Sequence, residues 1–328
     1  RDCVFIEEKE KMTMVNREFA SNSQLARVIQ RIVRLGGARV GLDNPIAEVA
    51  IDDDIWVTAV LPPIAPLSPI ITIQKSGSKE FSFDDLIDGQ CMSRSIALFL
   101  RACIEGKRSI IVSGLTGSGR TTLLNTLIDS VPVDERIIVI EDRGELKLSH
   151  PNSCILRPRY SLKSGVDELS SKLMLLTALR MRPDRIILSD CRGDETFDFL
   201  QTMSSGHKGC LTTCHASSPA DLISRLETLI SLSKETLSPR AMKHLIFKSV
   251  DLIVHMEQMS DRSRKISRIT ELTGMEGEVI TRSDIFHFRQ LGTDDRGNID
   301  GIFEPTGIVP SFYQELTQMG VEIPRDIF

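Results

Sequence analysis

The chain has 328 residues and a formal net charge of −5, and it is 41% hydrophobic and 26% charged. This length allows two domains and a sizeable core, and the acidic balance argues against a general nucleic-acid-binding surface. No apolar run approaches the ~20 residues that a membrane-spanning helix needs, and no signal-peptide pattern opens the chain. The sequence begins at Arg1 without methionine, which indicates a fragment of a longer protein.

Residues 1–78 are predicted to form a small α+β domain. Ser21 or Ser23 can cap a helix whose apolar residues from Leu25 to Val33 recur at helical spacing. Three short β-like runs follow, "AEVAID", "IWVTAVLPP" and "IITIQK". The prolines of "LPPIAPLSP" favour a rigid extended connector over a helix, and the polar segment "KSGSKEFSF" indicates the domain boundary.

Residues 79–328 are predicted to form an α/β domain with a mostly parallel sheet. The apolar runs "SIIVSG", "RIIVIED", "RIILSD" and "GCLTTCHA" are short and unalternated, which is typical of strands buried on both faces. Helical patterns separate them, one over 166–182 with regularly spaced leucines and two opened by Ser-Pro pairs at 218 and 238. Strands and turns follow Val250, and "SDRSRK" is predicted to be an exposed hairpin tip.

The seven cysteines form neither a C-x-x-C pair nor a zinc-ligand spacing. Their odd number leaves at least one thiol unpaired in any intramolecular disulfide scheme. We therefore expect small buried apolar residues in a reducing cytosol, not disulfides or metal ligands.

The stretch "GLTGSGRTT" (114–122) is nearly the phosphate-binding pattern G-x-x-x-x-G-K-[ST], with Arg120 in the place of the lysine. It lies between a predicted buried strand and a helix, where glycines allow backbone amides to face a phosphate at the positive end of the helix. The alternative, a glycine-rich turn without a ligand, fits the strand–loop–helix context less well. We predict that ATP contacts Gly114, Thr116, Gly117, Ser118, Gly119, Arg120, Thr121 and Thr122, with the Thr121 hydroxyl also on Mg²⁺.

Three other predicted strands end in polar residues. Glu141 ends "RIIVIED" just before Asp142, and we expect this strand beside that of the phosphate loop, where a carboxylate can polarise water or hold Mg²⁺. Asp190 ends "RIILSD", as the metal-binding acid of a P-loop ATPase would, and His215 ends "GCLTTCHA". Taken singly, Glu141 and Asp142 also fit a solvated loop, Asp190 also fits a strand-end cap, and His215 also fits a structural histidine. Candidate cations for phosphate are Arg157, Arg159, Arg180, Arg182, Arg192 and Arg225.

In this order the sites resemble the CpaF-type ATPases of tight-adherence pilus systems, within the type II/IV secretion traffic ATPases. "GLTGSGRTTLLNTL" is similar to their Walker A segment, "ERIIVIEDRGELKL" to their acidic box, "RMRPDRIILSDCRG" to their Walker B region and "LTTCHASSPADLISRLETL" to their histidine box. The likeness covers nearly the whole chain. It implies a RecA-like C-terminal P-loop domain and a homo-oligomer, a hexameric ring that binds Mg·ATP between domains and subunits. Such a ring drives pilus assembly or protein export from the cytoplasm, peripheral to the inner membrane and its platform protein.

The same resemblance implies roles for individual residues. Glu141 would activate the attacking water, Asp190 would take the Walker B position on the metal, and His215 would sense the γ-phosphate. Arg159 and Arg192 would contact phosphates or reach into a neighbouring subunit.

The chain also departs from the family pattern around the nucleotide. Arg120 replaces a lysine, and because a guanidinium is bulkier and planar the exchange keeps the charge but alters the geometry. Asp190 stands where the family has glutamate, so its carboxylate lies one methylene further back. Trp56 and Gln74 stand where the family has arginines, and we expect Trp56 in the core rather than stacked on the base. These changes predict Mg·ATP binding with slow or conditional hydrolysis.

Two alternatives stay open. The first is a non-catalytic structural or regulatory ring subunit that binds nucleotide without turnover. The second is a RecA-like nucleic-acid motor, which the acidic charge and an aromatic content of 5% disfavour, so that no specific nucleic-acid partner is expected.

Overall fold

The computed structural model describes residues 3–8, 11–52, 55–75, 80–158, 169–233, 235–295 and 297–328. The described residues divide into two compact units. The first contains residues up to 75 together with 143–145, and the second contains residues 80–142, 146–158 and those from 169 onward. The predicted boundary between 78 and 79 lies outside the described residues, and so does the candidate phosphate ligand Arg159.

The first unit is a small α+β structure, as predicted. Its elements are β1 (Val4–Glu8), β2 (Lys11–Val15), α1 (Asn22–Leu35), β3 (Ile46–Asp52), β4 (Ile55–Val60) and β5 (Ile70–Lys75). Ser21 caps α1, because its side chain accepts a hydrogen bond from the Gln24 amide. The apolar stripe of α1, with Ile29 and Val33 at its centre, packs on the antiparallel sheet β3-β4-β5.

Trp56 lies on β4, where it pairs in register with Gln74 of β5. The expectation that it belongs to the core is wrong: the side chain is half-buried and stands outside the buried cluster of this unit. The two positions that depart from the family pattern are therefore direct neighbours on one sheet.

The second unit is an α/β structure. Its first elements are α2 (Phe83–Asp88), α3 (Arg94–Glu105), β6 (Ile110–Gly114), α4 (Arg120–Asp129), β7 (Ile137–Ile140), β8 (Ser153–Leu156), α5 (Ser171–Arg180), β9 (Arg185–Cys191), α6 (Glu195–Ser204) and β10 (Leu211–His215). The chain continues through α7 (Pro219–Ser231), α8 (Pro239–Ser249), β11 (Leu252–Gln258), β12 (Arg264–Glu276), β13 (Val279–Thr293), β14 (Ile299–Pro305) and α9 (Tyr313–Gln318). The predicted Ser-Pro helix starts are confirmed at α7 and α8, where Ser218 and Ser238 cap the first turns.

Within the described residues these strands form one sheet in the order β14-β13-β12-β11-β6-β10-β9-β7-β8. From β11 to β8 every neighbouring pair is parallel, and from β11 to β14 every pair is antiparallel. The predicted α/β fold with a mostly parallel sheet is confirmed. The hairpin tip predicted at "SDRSRK" is also present, between β11 and β12.

One expectation about the sheet is wrong. The strand that leads to Glu141, β7, does not lie beside the phosphate-loop strand β6, because β10 and β9 stand between them. Parallel strands are joined by helical crossovers, which leave the order of strands in space independent of their order in the chain. The strand of His215 is the immediate neighbour of β6, and the strand of Asp190 is the next one out.

Helices cover both faces of the sheet and form two buried clusters. Ile110 and Val112 of β6 point into one cluster, with α3 and α4, whereas Ile111 points into the other, with α6 and α7. Successive side chains of a strand point to opposite faces. A strand covered on both sides is therefore apolar at every position, which explains the unalternated runs. Within the described ranges, no helix combines the length and the apolar character that a bilayer crossing demands.

The predicted burial of the cysteines is confirmed for most thiols. Five are buried (Cys91, Cys103, Cys191, Cys210 and Cys214), Cys154 is half-buried, and Cys3 is exposed. Burial raises the pKa of Cys91 to about 11 and the pKa values of Cys210 and Cys214 to about 12. These groups are neutral, unreactive thiols at physiological pH.

Thiol titration of the native protein at pH 8 with a chromogenic disulfide should therefore show one fast group, Cys3. The five buried thiols should react only when denaturant is added, because they are both inaccessible and protonated. A Cys3→Ser variant provides the control and should lose the fast phase. Fast labelling of three or more native thiols would contradict this assignment.

Candidate nucleotide site at the carboxyl ends of the parallel strands

The phosphate loop connects the end of β6 to the start of α4. Gly114 closes the strand, and Gly119 is the N-cap of α4 with a φ of 94°, a left-handed conformation that glycine adopts without strain. No side chain caps this helix. The first-turn amides of α4 are therefore left to a ligand, as in an anion site at a helix N-terminus.

Two polar atoms of the loop show that a phosphate fits here. Ser118 Oγ and Arg120 Nη1 are buried, and neither has a hydrogen-bond partner among the described residues. A buried donor without a partner is costly, about 1–3 kcal/mol for a neutral group and more for a charged one. A triphosphate supplies oxygens that can accept hydrogen bonds from both, so the residues of the loop fit the ligand that the sequence predicts.

The parallel register places two neighbouring strands against the loop. His215, the last residue of β10, lies opposite Gly114, and its side chain is exposed at the strand end. On the other side Met256 of β11 lies opposite Gly114. A Cβ added to Gly114 would collide with the Met256 carbonyl oxygen, so only glycine fits at this point.

Asp190 is held by two side chains, one on each carboxylate oxygen. Thr213 Oγ1 lies 2.7 Å from Oδ1, and Arg192 Nε donates to Oδ2 over 2.7 Å. Arg192 also donates from Nη1 to Asp142 Oδ2 over 3.0 Å. One guanidinium therefore joins the ends of β9 and β7 by charge-assisted hydrogen bonds.

Glu141 is 1% exposed, and its Oε1 accepts a hydrogen bond of 2.6 Å from the Leu146 amide. The backbone bond fixes the direction of the carboxylate. Since the strands of a sheet lie ~4.8 Å apart, β7 is about 14 Å from β6. The strand order therefore does not bring Glu141 next to the phosphate loop.

A histidine that sequence reasoning missed lies behind the phosphate loop. His255 of β11 is 1% exposed, and its Nδ1 forms a hydrogen bond of 2.8 Å with the hydroxyl of Ser113, the residue before Gly114. Burial lowers the pKa of His255 below its ordinary 6.5, and the Glu257 carboxylate opposes that shift only in part. The imidazole is therefore neutral at pH 7. The sequence signal that could have identified His255 was its presence as a polar residue in the apolar run "DLIVHM".

Comparison with known proteins places the chain in a family. The model of the family "Type II/IV secretion system protein" matches residues 1–300. This chain belongs to that family. The prediction of a type II/IV secretion ATPase is thereby confirmed at the level of the family.

Individual relatives agree with this membership. The conjugal transfer protein TrbB of Rhizobium radiobacter is 31% identical over 72% of this chain and 69% of its own length. VirB11 of Agrobacterium fabrum is 30% identical over 68% of this chain and 72% of its own length. The ATPase DotB of Legionella pneumophila shares the fold, with a TM-score of 0.54 over 80% of this chain and 72% of that chain, at 18% identity.

In the structure of this secretion-family protein, most of the predicted site residues lie at the carboxyl ends of the parallel strands. The loop residues, His215, Asp190 and Arg192 lie at the carboxyl ends of β6, β10 and β9. The roles drawn from the family resemblance stay predictions. Thr213, which holds Asp190, had no assigned role, although it stands inside a quoted sequence segment. Asp142 was considered only as a carboxylate beside Glu141, and its ion pair with Arg192 was not expected.

Replacing Gly114 should strongly weaken nucleotide binding. In Gly114→Ala the new Cβ meets the Met256 carbonyl and Ser118 Oγ, so the start of the loop must shift. We expect at least a ~10²-fold loss of affinity for Mg·ATP, measured by titration of a fluorescent ATP analogue. Gly292→Ala is the matched control, because nothing lies within 4 Å of its Cβ position. Circular dichroism checks that both variants are folded, and unchanged affinity in folded Gly114→Ala would contradict the placement of the loop.

The buried histidine should make stability depend on pH. His255 binds its proton more weakly in the folded than in the unfolded chain, so the unfolded state takes up a proton as the pH falls through 6.5. The free energy of unfolding should therefore decrease with acidification in this range, and His255→Gln should decrease less steeply. Urea unfolding at a series of pH values measures both slopes. An unchanged slope in His255→Gln would refute the assignment.

Proposed function

We propose that this chain is a nucleotide-driven motor ATPase of a type II/IV secretion or tight-adherence pilus system. The observation that carries the proposal is the phosphate loop, in which Ser118 Oγ and Arg120 Nη1 are buried without partners at an uncapped helix N-terminus. Such a site is complementary to an anion. Its position beside the strand ends of His215 and Asp190 provides polar side chains for phosphate chemistry.

Within this proposal the loop amides and Arg120 hold the β- and γ-phosphates of ATP, the substrate. The Thr121 hydroxyl and Asp190 would hold Mg²⁺, which, when bound, neutralises phosphate charge. Asp190 already carries hydrogen bonds on both oxygens. Its remaining lone pairs would be available to the metal, directly or through a water.

Hydrolysis requires a base for the attacking water. The Glu141 carboxylate takes a proton as the water oxygen bonds to the γ-phosphorus, and the bond from that phosphorus to the bridging oxygen of ADP breaks. The hydrogen bond from Leu146 fixes the carboxylate for this task. His215 would sense the γ-phosphate, and its position opposite Gly114 supports this role.

We infer that turnover is slow or conditional. An arginine at position 120 keeps the positive charge, but its planar fork does not reproduce the position of a lysine ammonium. A displacement of about 1 Å in a phosphate contact can reduce the rate ~10²-fold. Arg192, bound to Asp142 and Asp190, would have to leave these carboxylates before it could contact a phosphate.

The finer assignment rests on the sequence resemblance. We infer a CpaF-type member that assembles into a hexameric ring in the cytoplasm, peripheral to the inner membrane, and acts on a membrane platform protein. Arg159 would complete the phosphate contacts. The comparisons support the secretion family for this chain, and the pilus subtype, the ring and its location belong to this proposal.

A second function is favoured by one specific observation. Arg120 and Asp190 both depart from the family pattern at the phosphates, and this favours a non-catalytic ring subunit that binds nucleotide without turnover. Such a subunit would respond to ATP by changing conformation or assembly state, with no release of phosphate.

A single-turnover assay with protein in excess over Mg·ATP separates the two functions. The wild-type chain should release phosphate slowly, and Glu141→Gln should bind ATP with similar affinity but release phosphate at least ~10²-fold more slowly because the base is lost. Arg120→Lys combined with Asp190→Glu should accelerate release. The control is Glu278→Gln, an exposed residue between β12 and β13, which should match the wild type.

Absence of phosphate release from the wild type, together with turnover in the double variant, would refute the motor function and establish the non-catalytic subunit. Hydrolysis that requires single-stranded DNA would instead support the nucleic-acid motor.

A further inference from the structure

An arginine without an assigned role lies over the phosphate loop. Arg264 is the first residue of β12, and its Nε donates a hydrogen bond of 2.7 Å to the carbonyl oxygen of Gly117. Its Cδ lies 3.0 Å from the position that a Cβ would take on Gly119. The side chain therefore passes along two glycines of the loop.

The backbone on either side of Arg264 is firmly held. Lys265 is buried and donates from Nζ to the Gln90 carbonyl over 2.8 Å, and the Ile266 amide donates to the Cys91 carbonyl over 2.8 Å. In the hairpin tip the Asp261 carboxylate accepts a hydrogen bond of 2.6 Å from the Ile299 amide of β14. Arg264 is thus presented by a rigid element, as a residue that positions another group must be.

The hydrogen bond from Arg264 fixes one peptide unit of the loop. The carbonyl of the Gly117–Ser118 peptide faces Arg264, and the amide of the same peptide donates to the Leu115 carbonyl over 3.2 Å. Gly117 itself has a φ of 83°. A loop with glycines in such conformations loses much entropy when it is ordered, and holding it in one conformation before the ligand arrives lowers the cost of binding.

We propose that Arg264 is a positioning residue of the phosphate loop, which holds the Gly117–Ser118 peptide in its binding conformation and connects the loop to the β11–β12 hairpin. That Arg264 holds the loop does not depend on the proposed function, whereas the effect of Arg264 on ATP affinity rests on it. The hairpin thereby becomes part of the nucleotide site. Its conformation and the affinity for ATP are linked, because whatever moves the tip also releases the loop.

Two variants separate positioning from charge. Arg264→Lys keeps a positive charge but has a methylene where Nε stands, so it loses the hydrogen bond to Gly117 in its present geometry. Arg264→Gln loses both the positive charge and the hydrogen bond to Gly117. Arg268→Gln is the matched control, an exposed arginine on the same strand whose guanidinium binds Asp284 at 2.6 Å, away from the loop.

The first measurement is amide hydrogen exchange in the nucleotide-free protein. Exchange across residues 115–121 should be about tenfold faster in both Arg264 variants, because a charge-assisted hydrogen bond is lost, and unchanged in Arg268→Gln. Thermal unfolding confirms that the variants are folded. Equal exchange in the wild type and Arg264→Gln would overturn the proposal.

The second measurement is the affinity for Mg·ATP and the single-turnover rate at saturation. A loop that is ordered less well weakens binding of substrate and transition state alike, so Kd should rise about tenfold in both variants while the saturated rate stays within about twofold. Wild-type affinity in Arg264→Lys would assign the residue a purely electrostatic role. A reduced rate at unchanged Kd would place it on the reacting phosphate. Either result overturns the positioning role.

These measurements also distinguish this proposal from the function on which it partly rests. A wild-type chain that fails to bind Mg·ATP would refute the proposed function, and the exchange experiment would still show whether Arg264 holds the loop. Wild-type binding combined with unaltered Arg264 variants refutes only the inference about Arg264.

Discussion

The structure depends on the parallel pairing of β6 with β10 on one side and β11 on the other. This register sets Gly114 between His215 and Met256, so the chain must turn into the phosphate loop at that point. The close approach of the Met256 carbonyl leaves no room for a side chain. Burial of β6 on both faces stabilises the strand, and the loop takes its starting position from it.

Charge at the strand ends is arranged around Arg192. The Arg192 guanidinium lies between Asp142 and Asp190. The Thr213 hydroxyl contacts Oδ1 of Asp190, the oxygen that Arg192 does not bind. Two carboxylates and one cation give this group of three side chains a net negative charge. In the proposed function these carboxylates would attract the divalent metal, whereas the phosphate loop with Arg120 would attract the anion. The proposed metal–nucleotide complex would thus meet opposite charges at the strand ends of β6 and β9, which are separated by β10.

The sequence allowed the prediction of the strands and the loop, because burial on both faces produces unbroken apolar runs and the glycine pattern is local. The order of the strands was not predictable, since helical crossovers leave it free, and β7 was therefore expected beside β6 when β10 and β9 intervene. Arg264 and Gly117 are 147 residues apart in the chain, and no periodic pattern connects them. His255 gave a weak signal because a single polar residue in an apolar strand does not identify its partner.

The place of β6 in the sheet has a consequence for synthesis of the chain. Its partners β10 and β11 lie far along the sequence, whereas β11 to β14 pair through local hairpins. A nascent chain that has not yet emerged beyond residue 251 presents the apolar run Ile110–Val112 as an open sheet edge, which is a template for aggregation. Non-local pairing also slows folding. The strand that carries the nucleotide loop therefore keeps an unpaired edge until β11 has been synthesised.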